Sequence, residues 1–283
     1  MKEDIPATTS LIGYLICLIF KALSTSKILL VPYSKWHVPR YHEWMQDESL
    51  HLFVHLFPRP FKNNLLKLDS QEIQQATASE PLSIDEEYAM QRSWRQDADK
   101  LTFIACRPVL IPGENPLYLS SDSDSPSNMV GDINLFLHVD DGEEGDASPE
   151  LYGEIELMIA EKVNQGQGFG KAALLTFLRY VVEKQAAILE EYVTGDVEAD
   201  TTKKLRAAQP VLRFSYLSVK IGEANSRSLA LFESLGFVRV AEEPNYFGEF
   251  ELRKKDFSVE ALDERLSIAG VNDYQELAYL RQE

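Results

Sequence analysis

Apolar positions recur along the chain with two periods, and each change of period marks an element. The run Lys27-Ile28-Leu29-Leu30-Val31-Pro32-Tyr33 predicts a strand, closed by a proline that has no N–H to give a ladder. Trp36, Tyr41, Trp44 and Met45 predict a helix with an aromatic face, with Pro39 in its first turn. Residues 50–70 hold neither period for long and are broken by Pro58 and Pro60, so they read as an inserted loop. A capping box, Ser83-Ile84-Asp85-Glu86, opens a helix that runs to Asp97 with Tyr88, Gln91 and Trp94 on one face. Strands follow at 101–106 and 129–137, separated by a Pro-, Ser- and Asp-rich stretch at 107–128 that reads as a mobile surface loop.

The second half alternates strand and helix. Residues 153–160 form a strand that pairs most simply as a hairpin with 129–137, across a solvated acidic run from Asp140 to Asp146. Residues 172–189 are apolar on nearly every face, as a helix buried against a sheet requires. Residues 190–210 are charged and read as a further insertion, because 211–221 restores a strand at once. A helix from Asn225 is stopped by Gly236 and leads into strands at 237–240 and 246–252, and residues 258–283 form a helical tail.

One junction carries candidate chemistry. The strand Gly153-Glu154-Ile155-Glu156-Leu157-Met158-Ile159-Ala160 feeds Asn164-Gln165-Gly166-Gln167-Gly168-Phe169-Gly170-Lys171, and the long helix follows. Glycines at alternate positions bare backbone N–H groups at a helix start, where the helix dipole also favours an anion such as a pyrophosphate. A magnesium-nucleotide P-loop needs glycine where this chain has Gln165, and Ser or Thr where it has Ala172. The dinucleotide fingerprint needs its third glycine where Lys171 stands. The pattern that fits is Q/R-x-x-G-x-G/A, met by Gln165, Gly168 and Gly170.

Composition narrows the partners. With 28 Lys and Arg against 45 Asp and Glu, the net charge of −17 repels nucleic acid and attracts a cationic amine. Cys17 and Cys106 form no framework and no C-x-x-C pair, which places the chain in a reduced, cytoplasmic setting. The uncharged run Leu11–Phe20 is too short to span a bilayer but has the length of a signal-peptide core, with Ala22-Leu23-Ser24 a passable cleavage site. Glu3 and Asp4 ahead of it are the wrong flank for a signal, so residues 1–26 read as an extension with no membrane role. His37 and His42 are five apart, and the i, i+4 pair His51 and His55 lacks both the Glu of H-E-x-x-H and a third ligand; no metal is expected.

A second motif settles how the loop is read. Residues 225–237 follow N-x-x-x-x-A-x-F-x-x-L-G-F, and with the glycine loop upstream the chain resembles the GCN5-related N-acetyltransferases (GNAT). Val31-Pro32-Tyr33, His37–Met45, Thr77–Leu82, Glu86–Gln91 and Val130–Leu137 narrow the resemblance to the N-acetyltransferase 9-like branch. The resemblance implies an α/β (α+β) GNAT fold, a mixed twisted sheet of about six to seven strands flanked by helices. It covers a domain at 27–255, with insertions at about 50–70, 107–128 and 190–210, between the 1–26 extension and the 256–283 tail.

The resemblance also implies transfer of acetyl from acetyl coenzyme A to a primary amine on a protein or peptide. Glu154 lies eleven positions before Gln165, where relatives carry a glutamate base, and Glu156 on the same strand face is the reserve. Backbone groups of Met158, Ile159 and Ala160 would align the coenzyme's arm, with one amide polarising the thioester carbonyl. Amides of Gln165, Gly166, Gln167, Gly168, Phe169, Gly170 and Lys171 would hold the pyrophosphate, and Asn225 would orient the coenzyme or a water. Ser79 and Glu80 would wall the acceptor site. Phe232 departs from the pattern, because many relatives place there a tyrosine that protonates the departing thiolate, and phenylalanine has no proton to give. That departure keeps a second class open, a coenzyme-binding adaptor with a degenerate site.

Overall fold

The computed structural model describes residues 21–46, 82–109, 119–120, 122–140 and 148–281. Their apolar runs pair into β1 (Lys21–Ser24), β2 (Leu29–Pro32), β3 (Lys100–Cys106), β4 (Met129–Asp140), β5 (Glu150–Ile159), β6 (Tyr216–Gly222), β7 (Val238–Arg239), β8 (Glu249–Lys254) and β9 (Gln275–Ala278). The strands form one sheet in the order β7-β8-β6-β5-β4-β3-β2-β1-β9. Only β5 and β6 pair in parallel among the described residues. The helices are α1 (Val38–Met45), α2 (Ile84–Gln96), α3 (Phe169–Gly195), α4 (Ala199–Ala208), α5 (Ser226–Ser234) and α6 (Val259–Ile268).

Strand alternation divides the interior into two cores. Phe103 and Ile104 are neighbours on β3 and point to opposite faces. On one face Phe103 meets Phe177 and Tyr180 of α3 edge-on at 5.8 and 5.9 Å, and α4, α5 and α6 add Leu205, Phe232, Leu262 and Leu266. Fully buried aromatics of this kind are each worth about 3–5 kcal/mol against alanine. On the other face α1 and the turn before it bring Tyr33, Val38, Tyr41 and Trp44 over Ile104, Met129 and Ala160. The capping box at Ser83 forms as the sequence predicts, with the Glu86 N–H donating to Ser83 Oγ and the Ser83 N–H to Glu86 Oε2 at 2.8 Å.

The sheet extends past both expected domain boundaries. Ala22, Leu23 and Ser24, whose residue types suit a cleavage site, are buried in β1 between β2 and β9. The tail is helical only through α6 and then returns as β9 on the edge of β1, because Leu277 and Tyr279 supply apolar positions two apart. Residues 190–210 complete α3 and form α4, with Tyr192, Val193 and Leu205 buried as isolated apolar teeth among charges. The strand expected from Val211 starts only at Tyr216, since the Arg213 and Phe214 N–H groups donate to Gln209 and Gln185 side chains instead of a ladder. Asn245 likewise delays β8 to Glu249 by accepting from the N–H groups of Phe247 and Glu249. The insertion at 50–70, the His51 and His55 pair, and the acidic run from 141 to 146 lie outside the described residues.

The stretch that reads as a mobile loop supplies a buried anchor. Asp124 accepts from His37 Nε2 at 3.1 Å, Tyr279 Oη at 2.5 Å and Arg281 Nη1 at 2.5 Å, and is only 2% exposed. His37 Nδ1 accepts from the Ser34 N–H at 3.0 Å, which leaves Nε2 to donate to the carboxylate. Burial alone opposes charge on Asp124, but the His37 and Tyr279 hydrogen bonds and the Arg281 charge together hold it below the usual carboxylate range. Asp124→Ala should destabilise the chain by about 3–5 kcal/mol in urea unfolding, because it strands the buried donors His37 and Tyr279 and the partly buried Arg281. A change under about 1 kcal/mol would mean that the anchor carries no stability.

Candidate active site

The site begins where two strands part. β4 stays paired with β5 from Asp140 opposite Glu150 to Gly131 opposite Ile159. β6 pairs with β5 only at Tyr152, Gly153 and Glu154, opposite Tyr216, Leu217 and Ser218, and then runs on beside β8. The ends of β5 and β6 thus diverge into an open V. Backbone groups of a strand alternate sides. The Gly153 carbonyl faces β6, where Ser218 Oγ donates to it at 3.4 Å, and the Ala160 N–H faces the other way, to the Val130 carbonyl at 3.0 Å. Leu157 and Ile159 therefore turn their backbone groups into the V, while Met158 and Ala160 turn theirs to β4. Of the three residues expected to align a ligand, only Ile159 faces the opening. Gly131 makes the β4 approach possible, since a Cβ there would lie 1.9 Å from the Met158 carbonyl oxygen.

The glycine loop closes the mouth of the V. Gly166 and Gly168 hold φ of 74° and 87°, and Gly168 is the N-cap of α3. Gln165 Nε2 donates to the Ile159 carbonyl at 2.9 Å and Gln167 Nε2 to the Val163 carbonyl at 2.5 Å. Both glutamine side chains thus hold the loop's shape; the Gln165 N–H is taken by the Lys162 carbonyl at 3.2 Å, and the N–H groups at the start of α3, Phe169, Gly170 and Lys171, are those a helix leaves without an internal partner. Lys27, far away in the chain, reaches this loop: its Nζ lies 3.3 Å from where a Cβ on Gly168 would sit. Asn225 caps α5, with Oδ1 accepting the Ser228 N–H at 3.1 Å. Phe232 is buried edge-on to Phe237 at 5.1 Å.

Carboxylates line the face of β5 beneath α1. Tyr152, Glu154, Glu156 and Met158 share that face with His138, Phe136, Asn134 and Asp132, their register partners on β4. Glu154 accepts from Lys220 Nζ at 2.7 Å. Burial works against the charge on Lys220, but the bond to Glu154 holds its pKa above the usual value. Glu156 is partly exposed and forms no hydrogen bond or ion pair among the described residues. Burial of its carboxyl, then the charges of Glu154 and Asp132, push its pKa up to about 8. Burial also pushes Asp132 up to about 7, against the opposing hydrogen bond from Asn134. Arg40 pairs with Glu161 just after β5, which ties α1 over this face. Spacing along the sequence picks out both glutamates but not Asp132, Asn134, Lys220 or Lys27; the signal for the first two is a pair of polar residues two apart in an apolar strand. Ser79 and Glu80 lie outside the described residues.

A strand, glycine loop and helix followed by a strand, helix and strand is the order the loop and Asn225 motifs implied, and the acetyltransferase (GNAT) domain family matches residues 27–238. The chain belongs to the GNAT acetyltransferase family. Curated relatives of this GNAT chain include the alpha/beta-tubulin-N-acetyltransferase 9 of Drosophila melanogaster, 36% identical over 75% of this chain and 76% of that protein. The Homo sapiens protein of the same name is 35% identical over 80% of this chain and 79% of its own length. The N-acetyltransferase 9-like protein of Schizosaccharomyces pombe is 33% identical over 80% and 91%. Among solved GNAT-like structures, Mycobacterium smegmatis RimJ in complex with CoA-disulfide is 11% identical, covering 89% of this chain and 95% of that one at a TM-score of 0.48. No helix of the described residues is long and apolar enough to cross a membrane.

The buried carboxyls make this enzyme's stability depend on pH. A carboxyl whose folded pKa is raised binds protons in the native state that the unfolded chain has already lost, so stability falls as pH rises from the ordinary carboxylate range to about 8. Glu156→Gln should therefore raise Tm by a few degrees at pH 8 and by less at pH 5. Equal shifts at the two pH values in a calorimeter would show that Glu156 titrates normally.

Proposed function

We propose that this acetyltransferase moves the acetyl group of acetyl coenzyme A to a primary amine of a protein or peptide in the cytoplasm, with Glu156 receiving the amine's proton. The observation that carries the reading is the V between β5 and β6, with unladdered backbone groups of Leu157 and Ile159 inside it and a glycine-capped anion loop at its mouth. The coenzyme, when bound, supplies an acetyl group activated as a thioester. The loop amides from Gly166 to Lys171 and the Lys27 ammonium would hold its phosphates, the Ile159 N–H would serve its acyl end, and the Asn225 amide would orient it from α5, whereas the Gln165 N–H is already taken by the Lys162 carbonyl.

An amine attacks only when neutral, so a proton must leave it inside a cleft that favours cations. By spacing, Glu154 is the first candidate for that role. Its carboxylate is engaged by Lys220, whereas Glu156 lies two residues nearer the loop and has no such partner. A pKa of about 8 on Glu156 matches that of an α-amine, near ~8, so the proton moves between groups of similar affinity. The relatives' names point to tubulin as a first acceptor to try, and the net charge of −17 suits a cationic group. Phe232 supports the second reading, a coenzyme-binding adaptor, because no hydroxyl stands at that buried position to protonate a thiolate.

Acetyl coenzyme A should raise Tm in a thermal-shift titration, and Gly168→Val, at a positive φ, should abolish that shift. Single-turnover transfer to tubulin peptides separates enzyme from adaptor: coenzyme binding without transfer selects the adaptor. Glu156→Gln should lower the rate roughly 10²- to 10⁴-fold. Glu154→Gln should retain activity and move the acid limb of the pH–rate profile downward, because it removes a negative charge that raises Glu156 and unmasks Lys220, which lowers it. Full loss with Glu154→Gln and little with Glu156→Gln would return the base to Glu154.

A further inference from the structure

We infer that Asp132 and Asn134 of β4, with Glu156 of β5, form a receptor for a primary ammonium group, so that the acceptor is selected and held as its cation before it loses a proton. This rests on the acetyl-transfer reading of the same site and adds to it the residues that bind the acceptor and the amine class they admit.

Asp132 and Asn134 are each only 3% exposed, yet Asp132 Oδ1 and Asn134 Oδ1 have no hydrogen-bond partner among the described residues. Two buried acceptors left open side by side are costly unless something donates to them. Their orientation is set, because Asn134 Nδ2 donates to Asp132 Oδ2 at 2.7 Å and so turns the amide oxygen outward. The register places Asn134 directly opposite Glu156, and Asp132 one step further toward the glycine loop, opposite Met158. The cluster therefore turns oxygens of Asp132, Asn134 and Glu156 toward one point, with one Asn134 N–H not used on Asp132, and three acceptors suit the three N–H groups of a primary ammonium. A metal ion fits less well, since no three His, Cys, Asp or Glu side chains among the described residues converge to hold one. The Tyr33 hydroxyl, in the apolar cluster under α1, is also buried and without a hydrogen-bond partner among the described residues. Burial costs of this kind are tolerated where a ligand removes them, and they leave the free protein less stable than it could be.

The test uses the full chain with and without saturating coenzyme A, and calorimetric titration of n-butylammonium, its N,N-dimethyl derivative and n-butanol as probes. Butylammonium should bind at least about tenfold tighter than the dimethyl cation, and butanol should not bind. Asp132→Asn should weaken butylammonium roughly 10- to 100-fold, leave coenzyme A affinity unchanged and raise Tm, so that lost binding is not lost folding. Equal binding of butylammonium by wild type and Asp132→Asn, equal binding of the two cations, or no binding of butylammonium by wild type would each overturn the receptor. Failure of coenzyme A to bind would instead overturn the acetyl-transfer reading, and the titrations without coenzyme distinguish that failure from loss of the ammonium site.

Discussion

The parting of β5 from β6 after Glu154 and Ser218 is the constraint on which the rest of the site depends. A sheet interior normally satisfies every backbone group, so a gap between neighbouring strands is tolerated only where a partner or solvent takes the ladder's place. Here β6 parts from β5 while keeping β8 on its other edge over six paired positions, and β5 keeps β4 along its whole length. Both strands stay anchored on their far sides, which makes the V a rigid slot. Gln165 fastens the loop to the end of β5 through the Ile159 carbonyl, so the glycine loop and the slot share one frame.

Electrostatics on the facing wall run against stability. Glu154 is balanced by Lys220, but Glu156 and Asp132 lie in a partly dehydrated surface where burial raises the proton affinity of both and the Asp132 charge raises that of Glu156 further. A packed apolar wall would fold more favourably. Carboxyls in such a wall are poised to accept a proton near neutrality and to stabilise a cation, which are the two things an amine acceptor demands. Stability for this wall comes from elsewhere: the buried Asp124 anchor joins the turn before α1 to the strand edge formed by β9, and Arg40 joins α1 to Glu161.

Much of the fold is legible in the sequence because its elements are locally consistent. The Ser83 capping box, the glycine stop at Gly236 and the hairpin of β4 with β5 all follow from residue types at fixed offsets. Expectation and structure part where local signals are weak. Single apolar residues among charges, such as Leu205 in α4, read as loop until a core exists to receive them. Side chains that capture backbone N–H groups, as Gln209, Gln185 and Asn245 do, shorten strands that propensity alone would extend.

The sequence by itself determined the glycine loop, the Asn225 motif and the pair of glutamates, because each depends on spacing within one segment. Only the tertiary structure decided which of them face one another. It turned Met158 and Ala160 toward β4 and Ile159 toward the slot, committed Glu154 to Lys220, and brought Lys27 to Gly168 and Asp132 to Glu156. Those outcomes depend on register between strands and on burial, which are set by contacts between segments far apart in the chain and leave no periodic trace in any one of them.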